Sequence, residues 1–137
     1  MSAELKAPMD WQVETIRAFV IRQKRDRYVE MISSPKKRKK FTSDLAHWND
    51  FDPRFIVKIA PSSQHPANIE SILRSKGAPE MCRIISEWDV LDDVSLPLAE
   101  ALKEVVGCQM GAIICCIPGR LAFFENEDGR CILERKA

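Results

Sequence analysis

The feature that most limits what this chain can fold into is the run from Gly111 to Ile117, GAIICCI, which is apolar at every position. A run this short, bounded by turn residues, fits a β-strand covered on both faces; a membrane helix would need roughly 20 apolar residues. The remainder of the chain, Pro118 to Ala137, is punctuated like a meander: Pro118-Gly119, RLAFFE, the turn residues Asn126 to Gly129, then RCILER. Proline-glycine suits a type II turn and Glu-Asp-Gly suits a tight reversal. Three consecutive antiparallel strands are therefore expected, with GAIICCI at the centre of a sheet.

A strand buried on both faces needs cover on both, and the rest of the chain supplies it. Residues 9–32 contain no Gly or Pro and are rich in helix formers, which predicts one long first helix with Asp10 near its start, stopped by Pro35. Ser34 and Pro35 then read as N-cap and first residue of a second helix, on which Phe41, Leu45 and Trp48 recur at i, i+4 and i+7. RFIVKIA, between Pro53 and Pro61, has the β-branched texture of a strand. A helix starting at Pro66 comes next, with Ile69, Ile72 and Leu73 inward and Gly77 at the left-handed cap. MCRIIS, Met81 to Ser86, is the next strand. After the acidic loop EWDVLDD, LPLAEALKEVVG repeats the helix grammar and ends in Gly107.

The expected order is thus two N-terminal helices and then β-α-β-α-β-β-β, an α+β fold or its mixed α/β variant, with a sheet of about five strands covered by helices. Right-handed crossovers would make the first three strands parallel. The 137 residues suit a single domain, 1–137, made of a helical basic front (1–50) and a sheet portion (51–137).

The net charge of +1 predicts nothing about a polyanionic partner, but its distribution does. Between Arg17 and Lys40 there are ten basic residues against Asp26 and Glu30, whereas residues 41–137 carry a net of −5. Lys36, Lys37, Arg38, Lys39 and Lys40 fall in the first turns of the second helix, where the helix dipole disfavours cations by a few tenths to ~1 kcal/mol. An anion or an acidic surface is what such a cluster lacks. On a continuous first helix, Lys24 and Arg27 would also interrupt the apolar stripe of Val13, Ile16, Val20 and Met31. The anion- or partner-binding residues expected on these grounds are Arg22, Arg25, Lys36, Lys37, Arg38, Lys39 and Lys40, facing nucleic acid or an acidic protein surface. The bland alternative is a solvated face, with long aliphatic stems covering apolar surface. Only Tyr28 and Phe41 lie near the cluster, so nucleic-acid binding would be weakly specific.

A second site class is a ligand loop at Ser62, Ser63, Gln64 and His65, between a strand and a helix N-terminus, where open α/β sheets bind ligands. It lacks the glycine and the Lys-Ser/Thr pair of a phosphate-binding loop, and capping explains it equally. His47 stands i+3 from Asp44 and could be oriented by it, yet a polar residue at a helix end needs no function. The loop Glu87 to Asp93 is acidic but lacks the alternating grammar of a calcium loop, so no metal and no cofactor are expected. The five cysteines, Cys82, Cys108, Cys115, Cys116 and Cys131, make an odd count without a CxxC pair and read as reduced thiols packed as small hydrophobes; Cys115 and Cys116 would point to opposite faces. Together with a first twenty residues that lack a signal-peptide core, they suggest a cytoplasmic protein without a membrane partner.

The sequence therefore points to a small binding or interaction protein, not an enzyme, whose basic front docks an anionic partner. An enzyme or small-ligand receptor using the Ser62–His65 loop, and a self-associating protein pairing its oppositely charged portions, are the two alternatives.

Overall fold

The computed structural model describes residues 10–136, and within them an α+β architecture: five α-helices and one six-stranded antiparallel sheet. The strands are β1 (Ile56–Lys58), β2 (Met81–Ser86), β3 (Ser95–Pro97), β4 (Ala112–Ile117), β5 (Leu121–Asn126) and β6 (Gly129–Glu134), in the order β1-β6-β5-β4-β2-β3. As GAIICCI requires, β4 lies inside the sheet and alternates between two cores. Ile113 and Cys115 enter one, and Ala112, Ile114 and Cys116 the other.

The first core is covered by α1 (Asp10–Phe19), α2 (Arg25–Ser33) and α3 (Pro35–Asp44), whose Ile16, Phe19, Met31, Ile32 and Phe41 meet Ile85, Ala122, Phe124 and Leu133 of the sheet. Trp48 sits at its centre, with ring centroids 4.5 Å from Tyr28, 5.3 Å from Phe41 and 5.1 Å from Phe51. The contacts with Phe41 and Phe51 are edge-to-face, and pairs of that kind add about 0.5–1.5 kcal/mol each beyond the area they bury. The second core lies under α4 (Pro66–Ser75) and α5 (Leu98–Val105), which contribute Ile69, Leu73, Leu98, Leu102 and Val105. The cap expected after α4 is present: Gly77 has φ +102°, its N–H donates to Arg74 O, and the Ala78 N–H donates to Leu73 O.

The first helix is not continuous. Val20 leaves α1 to form a bridge with Phe51, the Ile21 N–H donates to Asp50 O at 2.9 Å and the Asp52 N–H to Phe19 O at 2.7 Å. Tertiary hydrogen bonds to the 50–52 segment replace helical ones, and a short 3-10 turn, Arg22–Lys24, leads into α2. Sequence propensity could not register this competition, since nothing local breaks the helix. One consequence is that Lys24 and Arg27 do not interrupt an apolar stripe. Lys24 pairs with Asp50 at 3.2 Å and Arg27 is exposed.

The expected parallel arrangement of the first three strands is also corrected. β1 and β2 do run in the same direction, three strands apart, but β4 is antiparallel to β2. The reason is β3, a sixth strand too short to read in SLP: the acidic loop closes a β2–β3 hairpin, which reverses the chain before α5. The crossover through α5 therefore joins β3 and β4, which run parallel with β2 between them. RFIVKIA gives only a three-residue strand, because Pro53–Phe55 forms a 3-10 turn whose first free N–H, on Arg54, donates to the Asp52 carboxylate at 3.0 Å.

Candidate functional site

The five cations at the start of α3 have two different fates. Phe41, Thr42 and Leu45 face the core, so at 100° per residue Arg38 points the same way while Lys36 and Lys40 point outward. The Arg38 guanidinium meets Asp92 with two hydrogen bonds of 2.9 Å and donates a third, of 2.5 Å, to Gln12 Oε1 on α1. Both charged side chains are only about one-sixth exposed, at 16% and 17%. This is a planar, bidentate pair in a partly desolvated place, where charge-assisted bonds are strongest. Asp92 also accepts from the Ser86 N–H at the end of β2, so the pair ties α1, α3 and the sheet together. Beside it, Arg83 holds Asp93 at 2.9 Å and lies 5.1 Å over the Trp11 ring.

The acidic loop thus supplies part of the counter-charge that the sequence left missing. Lys39 reaches Asp89 at 2.7 Å, but this pair is exposed on both sides and contributes little. Lys37 and Lys40 have looser partners on their own helical layer, Glu30 at 3.7 Å and Asp44 at 3.5 Å, and all four side chains remain substantially exposed. Lys36 is exposed with no acidic partner among the described residues. Lys36, Lys37 and Lys40 therefore form the outward ridge of α3, and Arg38 belongs to the interior.

Arg22 and Arg25 do not join that ridge. Arg25 donates to Val20 O at 2.8 Å, closing the C-terminal end of α1, and its charge acts on Asp52; Arg22 is exposed on the 3-10 turn. Tyr28 and Phe41, the aromatic residues nearest the cluster in sequence, are both buried. The Tyr28 hydroxyl donates to Asp50 at 2.5 Å, and burial together with that carboxylate pushes its pKa above the ordinary phenol value. Neither ring offers a stacking surface. The aromatic residue that is exposed is Trp88, on the loop that Arg38 and Lys39 tie to α3, with Val90 more exposed beside it.

In the loop at Ser62–His65, the expected ligand groups do not act as one set. Ser62 and His65 are exposed, and Ser63 borders an open depression with Asn68 and Ser71. Gln64 is committed to the fold, donating to Ile59 O at 2.8 Å and accepting from Arg130 at 3.2 Å. His65 occupies the N-cap position of α4 without a side-chain cap bond. His47 is exposed and meets Glu127 at 3.1 Å instead of Asp44, which pairs with Lys40.

Burial raises the thiol pKa values of Cys82 to about 12, Cys115 to about 11 and Cys131 to about 11, and that of Cys116 further; Cys82, Cys115 and Cys116 are buried and pack as inert apolar groups, whereas Cys131 is half-buried. Cys108 is exposed.

Two polar groups that periodicity could not single out hold the chain's loops. Glu125, fully buried, accepts from the N–H groups of Gly107 and Gln109 and lies 2.9 Å from Arg130 Nε, whose N–H is not aimed at it. Asn126 donates to Leu45 O and Trp48 O, fixing the end of the helical front to the β5–β6 hairpin. Their only sequence signal is a polar pair closing an apolar strand. Among the described residues there is no group of three metal-ligating side chains, and no helix is long and apolar enough to cross a membrane. No family model, no curated protein and no solved structure matches this chain.

Proposed function

We propose that this protein is a binding module that docks an acidic protein surface through the outward ridge of α3, Lys36, Lys37 and Lys40. The observation that carries the reading is the division of the α3 cations. Arg38 is consumed by Asp92 and Gln12, whereas the three lysines stand exposed, Lys36 and Lys37 in the first turn where the helix dipole opposes them. The same interior pair fixes to α3 the loop bearing exposed Trp88 and Val90, which Lys39 also joins through Asp89, so charge and apolar contact can act together, as at the core and rim of a protein interface. Nucleic acid fits this surface less well, because Tyr28 and Phe41 are buried and Trp88 is left as a single exposed ring, where a single-strand site stacks successive bases.

Fluorescence anisotropy of a labelled Glu-rich peptide, and of labelled single- and double-stranded DNA and RNA, tests the reading across a salt series. Saturable peptide binding that weakens with salt and is lost in the Lys36→Glu, Lys37→Glu, Lys40→Glu variant supports it. Peptide binding that survives those substitutions, or none at low salt, overturns it. Nucleic-acid binding with a log-log salt slope of several units, lost in the same variant, would transfer the ridge to a polyanionic partner.

A further inference from the structure

Where β1 ends, the first-core face of the sheet opens into a cleft of about 370 Å³. The register gives the cause. Lys58, the last residue of β1, stands opposite Cys131 of β6, which stands opposite Phe124 of β5, so the three form one cross-strand row with side chains on the same face. The next row holds only Asn126 and Gly129, because β1 has no residue left to offer. Gly129 brings no side chain, and a Cβ built there would meet nothing within 4 Å. A strand that stops short and a residue without a side chain thus leave the space. The helical front reaches this face through Phe51, whose ring lies 4.7 Å from that of Phe124, and leaves Cys131 half-buried.

The lining combines an apolar floor with two opposite charges at the rim. Phe124, Cys131 and Ile56 supply the floor, Ile56 lying two residues before Lys58 and so on the same face. Asn126 is spent on the fold: its amide donates to Leu45 O and Trp48 O, and its oxygen accepts the Asp128 N–H at 2.9 Å. That last bond fixes the turn that brings Asp128 to the rim. Lys58 and Asp128 both border the cleft and are exposed, yet they do not pair with each other, and neither has an ion-pair partner among the described residues. An ammonium and a carboxylate that share a cleft without closing across it are the two poles of a site for a ligand carrying both charges.

We infer that this cleft binds a free α-amino acid with an apolar side chain. The ligand's carboxylate meets the Lys58 ammonium, its own ammonium meets the Asp128 carboxylate, and its side chain lies on Phe124, Cys131 and Ile56. Charge-assisted bonds of both signs orient such a ligand, while the apolar floor takes up its body. The cleft lies at the low end of the ~300–1,000 Å³ range of small-molecule sites, which suits a compact ligand. It shares no residue with the α3 ridge, and neither reading depends on the other.

The test is a titration of isotopically labelled protein at low ionic strength, followed by amide NMR shifts, with three probes: phenylalanine, N-acetylphenylalanine, which lacks the ammonium, and phenylalaninamide, which lacks the carboxylate. The expected result is saturable movement for phenylalanine confined to residues 56–58 and 124–131, with each blocked form binding about tenfold or more weakly. Lys58→Gln weakens phenylalanine by a similar factor and leaves phenylalaninamide unchanged, whereas Asp128→Asn weakens phenylalanine and leaves N-acetylphenylalanine unchanged. Both positions are exposed, so the variants keep the fold. The α3 variant Lys36→Glu, Lys37→Glu, Lys40→Glu binds phenylalanine as the parent does. Shifts that fail to saturate or that map elsewhere, blocked forms that bind as tightly as phenylalanine, or an affinity that survives both substitutions would overturn the assignment.

Discussion

Adding one methyl group at Gly111 tests whether the helical front and the sheet form one packed body. Gly111 immediately precedes β4, and a Cβ built there would stand 2.5 Å from Leu45 Cβ and 2.6 Å from Ala46 N, in the 3-10 turn Leu45–His47 that succeeds α3. Ordinary van der Waals contact begins near 3.4 Å, so the two segments must part by about 1 Å. Backbone atoms cannot yield as the tip of a flexible side chain can. Separation also strains the bonds that converge here, the Gly111 N–H to Glu87 Oε1 at 2.9 Å, the Glu87 N–H to Gly111 O at 3.0 Å, and Asn126 Nδ2 to Leu45 O at 3.3 Å. Overpacking alone costs about 1–3 kcal/mol, and weakening these bonds takes Gly111→Ala to about 3–4 kcal/mol. For a chain of this size that lowers the melting temperature by about 10 °C. Urea denaturation monitored by tryptophan fluorescence reads it, because Trp48 closes the adjacent aromatic cluster. A variant within about 0.5 kcal/mol of the parent would mean that the front does not press on β4 here and would refute the close approach.

The same structure sets three further outcomes. Hydrogen bonds from Arg54 hold the carboxyl of Asp52 at about 2, below the usual carboxylate range. A depressed folded-state pKa adds stability that is complete above about pH 4 and disappears as pH falls through about 2, so Asp52→Asn, which keeps an acceptor for the Arg54 N–H, should flatten the acid limb of a stability–pH profile in that window. An unchanged limb would show that the pair is screened away. Of the five cysteines, Cys108 should react rapidly with a thiol reagent in the folded protein while the buried Cys82, Cys115 and Cys116 wait for unfolding; a fast reaction at any of these three would contradict the burial described. Glu125→Ala leaves the N–H groups of Gly107 and Gln109 without their acceptor and Arg130 without its counter-charge, and should cost about 3 kcal/mol, with faster amide exchange at residues 107–109 as its local signature.

Much of the fold was legible because it is written in local chemistry. GAIICCI, Pro118-Gly119 and Asp128-Gly129 specify the meander without reference to anything distant, and Ser34-Pro35 and Gly77 mark helix ends by backbone geometry alone. The features that escaped are those decided by long-range bonds. Val20 bridges Phe51, so α1 ends where propensity would continue it, and SLP becomes a strand only because Cys82 and Arg83 are there to pair with it. The site shows the same division. That α3 begins with five cations is plain in the sequence, but which of them faces Asp92 depends on a loop more than fifty residues away.

The α3 cations are of two kinds, one half-buried and tied into the fold, the others outward and exposed. Parallel urea melts of Arg38→Ala and of the Lys36→Glu, Lys37→Glu, Lys40→Glu variant separate the two. The bidentate bonds to Asp92 and the bond to Gln12 predict a loss of about 2–4 kcal/mol for Arg38→Ala, whereas acids in place of the ridge lysines relieve the helix dipole and leave stability unchanged or slightly higher. Equal losses in both proteins would make the whole cluster structural, and no loss in either would remove the interior pair on which the division rests.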